Sequence, residues 1–126
     1  MRFTLPILHQ EIVDGRLVQT KSKIDVLLDT SIYSEERWEK FFPEKASRGE
    51  TLFGYVEKIQ NSGVSDRVQV ASMLKAIFCF IESNELSTFK DFAQMFALNN
   101  AEYITELIKS LKEAFFLVLG SSATKN

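Results

Sequence analysis

The sequence predicts an α+β, mainly α, fold in which a small N-terminal antiparallel β meander packs on a bundle of about five helices. Three observations carry this expectation. The first thirty residues alternate apolar and polar side chains around turn signals; from Ser34 onward apolar residues recur at three- and four-residue steps; and no Pro/Gly-rich linker or internal repeat separates the two parts. At 126 residues the chain is therefore expected to be a single domain over 1–126, with a meander over 1–30, a helical part over 34–119 and a flexible tail over 120–126.

Phe3, Leu5 and Ile7 alternate around Thr4 and Pro6, and the proline, which has no N–H to give to a ladder, marks an edge strand. Asp14-Gly15 lies between Ile12-Val13 and Leu17-Val18, a hairpin signal because glycine accepts the positive φ of a tight turn. After the polar stretch Lys21-Ser22-Lys23, read as a second turn, Ile24, Val26 and Leu28 predict a third strand.

Ser34, followed by Glu35 and Glu36, predicts the N-cap of a first helix, whose apolar side is Trp38, Phe41 and Phe42 and which Pro43 ends. Ser47 and Glu50 have capping-box spacing, and Leu52, Phe53, Val56 and Ile59 form the stripe of a second helix that stops at Asn61-Ser62-Gly63. Ser65-Asp66 opens a third, with Val70, Met73, Leu74, Ile77, Phe78 and Ile81 spread over a face wide enough to make it central. Thr88 with Asp91 starts a short fourth helix carrying Phe89, Phe92 and Phe96, a trio expected in the core. Asn99 with Glu102 starts a fifth with Ile104, Leu107, Ile108, Leu111 and Phe115 in line.

Composition narrows the function. A formal charge of −2 gives no basic patch for nucleic acid or an anionic membrane. The start lacks a leader's apolar stretch and no run is long enough to span a membrane, so a cytoplasmic location and no membrane partner are expected. Cys79 is the only cysteine and sits in an apolar run, which reads as a buried thiol; His9, the only histidine, reads as a solvated side chain. One Cys and one His cannot make a zinc tetrahedron, the acids lack EF-hand spacing, and the five glycines form no phosphate loop, so no metal and no cofactor are expected. The acid pairs Glu35/Glu36 and Asp25/Asp29 are explained by capping and solvation, and Glu57-Lys58 by a solvent face, so the chain is expected not to be an enzyme. A reaction run by Asp25 and Asp29 alone is the competing reading.

What is left over is apolar. Eleven phenylalanines exceed what a small core needs and place some rings toward partners. The last helix is apolar all round over Phe115, Phe116, Leu117, Val118 and Leu119, the expected protein-binding residues; the competing reading is that this end plugs into its own core.

The stretch Val26-Leu27-Leu28-Asp29-Thr30-Ser31-Ile32-Tyr33-Ser34-Glu35-Glu36-Arg37-Trp38-Glu39-Lys40-Phe41-Phe42-Pro43 resembles the start of the tail assembly chaperones of siphophages that infect Gram-positive bacteria. In that family a strand leads into a phrase of the type Asp-Thr-Ser, acidic-Arg-aromatic, Phe-Pro. Leu52-Phe53-Gly54-Tyr55-Val56-Glu57-Lys58-Ile59 is similar to the helix that follows it. The resemblance implies a non-catalytic chaperone of the host cytoplasm that binds the tape measure protein, forms homo-oligomers and helps recruit the tail tube protein. It also implies a longer product made by ribosomal frameshifting, and Thr124-Lys125-Asn126 is a run that an A-AAA-AAC slippery sequence could encode. The alternative is a small cytoplasmic adaptor or regulatory protein-binding module that uses the same apolar surface for one partner.

Overall fold

A computed structural model describes residues 1–62, 67–82 and 88–120. It shows the expected α+β, mainly α, architecture, with an antiparallel sheet at the N-terminus packed on helices. Strands β1 (Arg2–Val13) and β2 (Arg16–Leu27) pair without interruption from Arg2↔Leu27 to Val13↔Arg16. Asp14 (φ 52°) and Gly15 (φ 75°) close them, both left-handed as a two-residue primed turn requires.

The sheet is thus a hairpin and not a meander, and the expected third strand is the end of β2. Lys21-Ser22-Lys23 does not turn, because none of the three favours positive φ; their partners Leu8, Ile7 and Pro6 keep the ladder in register. Pro6 is tolerated for a geometric reason. Leu8 N–H leaves β1 on the side away from β2, to Met95 O (3.1 Å), and Pro6 has the same parity, so its missing N–H removes no bond to β2. Pro6 O instead accepts from the buried Tyr103 hydroxyl (2.9 Å).

Six helices follow among the described residues: α1 (Tyr33–Phe41), α2 (Pro43–Ser47), α3 (Leu52–Ser62), α4 (Arg67–Phe80), α5 (Phe89–Ala93) and α6 (Ala101–Leu119). The one beyond the expected number is α2. Pro43 opens it at the first helical position, where a missing N–H costs nothing, as well as standing after the end of α1. Ser34 is not the cap of α1: Ile32 takes that place, and Ser34 is fully buried with its Oγ donating to Ser31 O (2.8 Å). The turn starts early because Asp29 Oδ1 accepts from Ser31 N–H (2.9 Å) and Ser31 Oγ from Tyr33 N–H (3.3 Å).

Nor do Ser47 and Glu50 box α3. Ser47 Oγ turns back to Glu44 O, while Thr51 Oγ1 accepts from Gly54 N–H (3.0 Å). The first two amides of α3 are taken by a carboxylate from another helix: Glu35 Oε1 accepts from Leu52 N–H (2.8 Å) and Oε2 from Phe53 N–H (3.1 Å). Gly63, expected to stop α3, and Ser65-Asp66, expected to open α4, lie outside the described residues, as does the tail from Ser121. Thr88 caps α5 through Asp91 N–H (3.1 Å) as its spacing predicts. The cap of α6 is Asn100, one residue later than expected, because the Asn99 side chain is engaged by Gln10 (2.7 Å).

Helix α4 is central, with Val70, Met73, Leu74, Ile77, Phe78 and Cys79 all buried against its neighbours. Phe41, Phe78, Phe92 and Phe96 stack edge to face or tilted, with centroids 4.7 Å (Phe41–Phe78), 5.5 Å (Phe78–Phe92) and 5.0 Å (Phe92–Phe96) apart. The buried rings Phe78 and Phe92 each contribute about 1.5–3 kcal/mol by burial, the half-buried Phe41 and Phe96 less, and the ring pairs about 0.5–1.5 kcal/mol more.

Candidate protein-binding surface

Helical periodicity divides the apolar end of α6. Phe115 and Val118, three residues apart, face inward and are buried, and Leu119 is partly covered by the core. Phe116 and Leu117 face outward, 50% and 38% exposed. The expected binding set is therefore corrected: Phe115 and Val118 are core, and the outward pair is Phe116 and Leu117. The wider expectation about phenylalanine is corrected too, since Phe116 is the only one of the eleven that is exposed. The surplus rings fill the contacts among α1, α4 and α5.

A second apolar surface lies where the sequence reading saw only turn flanks. Residues 11–23 of the hairpin are exposed throughout, although Gln19 accepts from the Asn100 side chain (2.9 Å) and Lys21 pairs with Glu106 of α6 (2.6 Å). At the end of the hairpin stand Ile12, Val13, Leu17 and Val18, with Ile12 69% exposed. Register places Ile12 opposite Leu17 on one face, and Val18 opposite Glu11 with Val13 opposite Arg16 on the other. The signal was present: two adjacent apolar residues on each side of a two-residue turn point to both faces, and a sheet covered on one face cannot bury both. Between residues 7–10 of β1 and the segment 94–99 runs an open cleft of about 680 Å³.

Asp25, Asp29, Glu35 and Trp38 have structural partners. Asp29 Oδ2 lies 3.2 Å from the Arg37 guanidinium, whose Nε donates to Cys79 O (2.6 Å). The Ser31 hydroxyl, then the Ser31 amide and Arg37, hold the Asp29 carboxyl below its usual value against a smaller opposing effect of burial. Asp25 Oδ1 accepts from the Thr4 hydroxyl (2.6 Å), and Glu35 is spent on α3. Glu36 is exposed beside it. Trp38 is buried and its Nε1–H donates to Glu50 O (2.8 Å). Burial pushes the Cys79 thiol up to about 12, so it remains protonated and a poor nucleophile. His9 is exposed, 3.7 Å from Glu11 and on the rim of the cleft.

Asp29, Arg37, Trp38 and Glu35 thus act as a joint: they tie the end of the hairpin and α1 to α4, to the turn before α3 and to α3 itself. Among the described residues no three His, Cys, Asp or Glu side chains are grouped to hold a metal ion, and no helix is long and apolar enough to cross a membrane. No protein-family model, curated protein or solved structure matches the chain.

Proposed function

We propose that this chain is a non-catalytic tail assembly chaperone of a siphophage that binds the tape measure protein and associates with copies of itself. The observation that carries the protein-binding part is apolar surface held out of the core at two separate places, Phe116-Leu117 on α6 and the hairpin tip, in a domain where Asp25, Asp29 and Glu35 are hydrogen-bonded within the fold and the sole thiol is buried. The tail-assembly part rests on the resemblance of the phrase from Asp29 to Pro43. Coating a long partner calls for many copies of one modest apolar contact, because linked weak contacts sum to a tight assembly.

Co-expression with a tape measure protein encoded in the same genome tests the reading. Wild type is expected to be retained by tagged tape measure protein, and a Phe116→Glu, Leu117→Glu variant to be lost from it while keeping its circular dichroism. No retention of wild type in either the short or a frameshifted form refutes the proposal.

A further inference from the structure

The hydrogen-bond parity of the hairpin shows which of its backbone groups point away from it. Met1 and Leu28 exchange both of their backbone bonds (2.8 and 2.6 Å), so they form a bonded pair at the base of the ladder. Antiparallel pairing then alternates, and Arg2↔Leu27, Thr4↔Asp25, Pro6↔Lys23, Leu8↔Lys21, Gln10↔Gln19 and Ile12↔Leu17 are the pairs whose N–H and C=O groups point outward. Three bonds agree: Leu8 N–H goes outward to Met95 O, Pro6 O outward to Tyr103, and Leu27 O outward to Glu82 N–H (2.7 Å).

Those same bonds close most of the sheet margin. The segment before α6 covers β1 at Leu8, α6 itself covers Pro6, and residues 80–82 cover β2 at Leu27 to Asp29. Among the described residues nothing covers the outer edge of β2 from Leu17 to Asp25, where five residues present outward N–H and C=O groups over about 27 Å. No backbone bond from these five to any described residue outside the hairpin is made.

Charge decides what suits this edge. From Arg16 to Asp25 the strand carries three cations, Arg16, Lys21 and Lys23, against one acid, Asp25, which accepts from the Thr4 hydroxyl, so its net charge is positive. Lys21 is paired with Glu106 of α6 (2.6 Å), but Arg16 and Lys23, near the two ends of the edge, have no ion-pair partner among the described residues. A second copy laid along the edge would bring strands of the same sign together, which is how lysines on an edge discourage pairing between like chains. A strand with acidic side chains meets the opposite situation.

We propose that the outer edge of β2, Leu17 to Asp25, docks an extended, acid-bearing segment of a different polypeptide, which adds to the hairpin as a third strand. Main-chain bonds to the outward groups supply the affinity, and Arg16 and Lys23 select against basic strands and against copies of the chain itself. The inference stands on the strand edge and is independent of the tail-assembly reading.

The test uses the full chain and a capped nine-residue peptide of alternating Thr and Glu, with the same peptide carrying Lys for Glu, and an N-methylated form, as comparisons. Amide exchange followed by NMR is expected to slow at Leu17, Gln19, Lys21 and Lys23 when the Glu peptide is added. Val18, Thr20 and Ser22, whose amides already face β1, should not change. The Lys peptide is expected to bind about tenfold or more weakly, the N-methylated peptide to give no protection, and an Arg16→Glu, Lys23→Glu variant to reverse the preference. Absence of the alternating protection, equal binding of the Lys peptide, or the same protection without peptide in a dimer of the chain each overturns the proposal. Should the variant misfold, the three-peptide comparison on wild type decides alone.

Discussion

Removing the Glu35 carboxylate tests whether α3 is capped from outside its own sequence. Glu35 accepts from Leu52 N–H at 2.8 Å and Phe53 N–H at 3.1 Å, and its charge sits at the positive end of the α3 dipole. Hydrogen bonds to a charged group are worth about 1.5–3 kcal/mol each, but the site is only partly buried and one deletion leaves water free to solvate the amides. The expected cost of Glu35→Ala is therefore about 2–3 kcal/mol, roughly one good charged bond plus about 0.5 kcal/mol from the dipole. Glu35→Gln should cost less, since its carbonyl still accepts one bond while its NH₂ faces the other donor. In urea titration followed by circular dichroism, with m near 1.5–2 kcal/mol/M, the alanine variant should move the midpoint down by about 1–2 M at unchanged m. Glu36→Ala, one residue away and exposed, is the control and should shift it by less than about 0.3 M. Equal midpoints for Glu35→Ala and Glu36→Ala would refute the cap.

Two further outcomes are expected. Because the folded Asp29 carboxyl is held below the 3.8 of the free group, its ionised form stabilises the fold fully above that value, and the contribution is lost as pH falls through the lower folded value. Urea midpoints of wild type and Asp29→Asn should accordingly differ at neutral pH and converge in acid; a constant gap would contradict the Arg37 and Ser31 contacts. Phe115→Ala should cost about 3–5 kcal/mol in thermal or urea unfolding and Phe116→Ala less than about 1 kcal/mol, as the core and outward positions of adjacent residues require.

Much of the helical part was legible because local rules act over three or four residues. Thr88 reaches Asp91 N–H within one turn, so its side chain alone decides the cap. The stripe from Val70 to Ile81 is broad because α4 has neighbours on most sides. Where spacing misled, a distant group had intervened. Gln10 engages Asn99 from 89 positions away and moves the cap of α6 to Asn100, and Glu35 displaces the expected role of Ser47 and Glu50 from 17 positions away. The binding residues were half legible. An unbroken apolar run at the end of α6 says that one side must face out, but the phase of the helix against the core decides that Phe115 and Val118 go in while Phe116 and Leu117 stay out.

By itself, then, the sequence determined the α+β, mainly α class, the Asp14-Gly15 hairpin turn and the buried thiol at Cys79, since each depends on side-chain type and near neighbours. Only the tertiary structure decided that β2 runs straight through Lys21-Ser22-Lys23, that every phenylalanine but Phe116 is buried or half-buried, and that the hairpin tip is exposed with one edge of β2 uncovered by the described residues. Those outcomes depend on where α6 and the segment before it lie against β1, and contacts between residues 97 positions apart, as in Tyr103 to Pro6, leave no periodic trace in either segment.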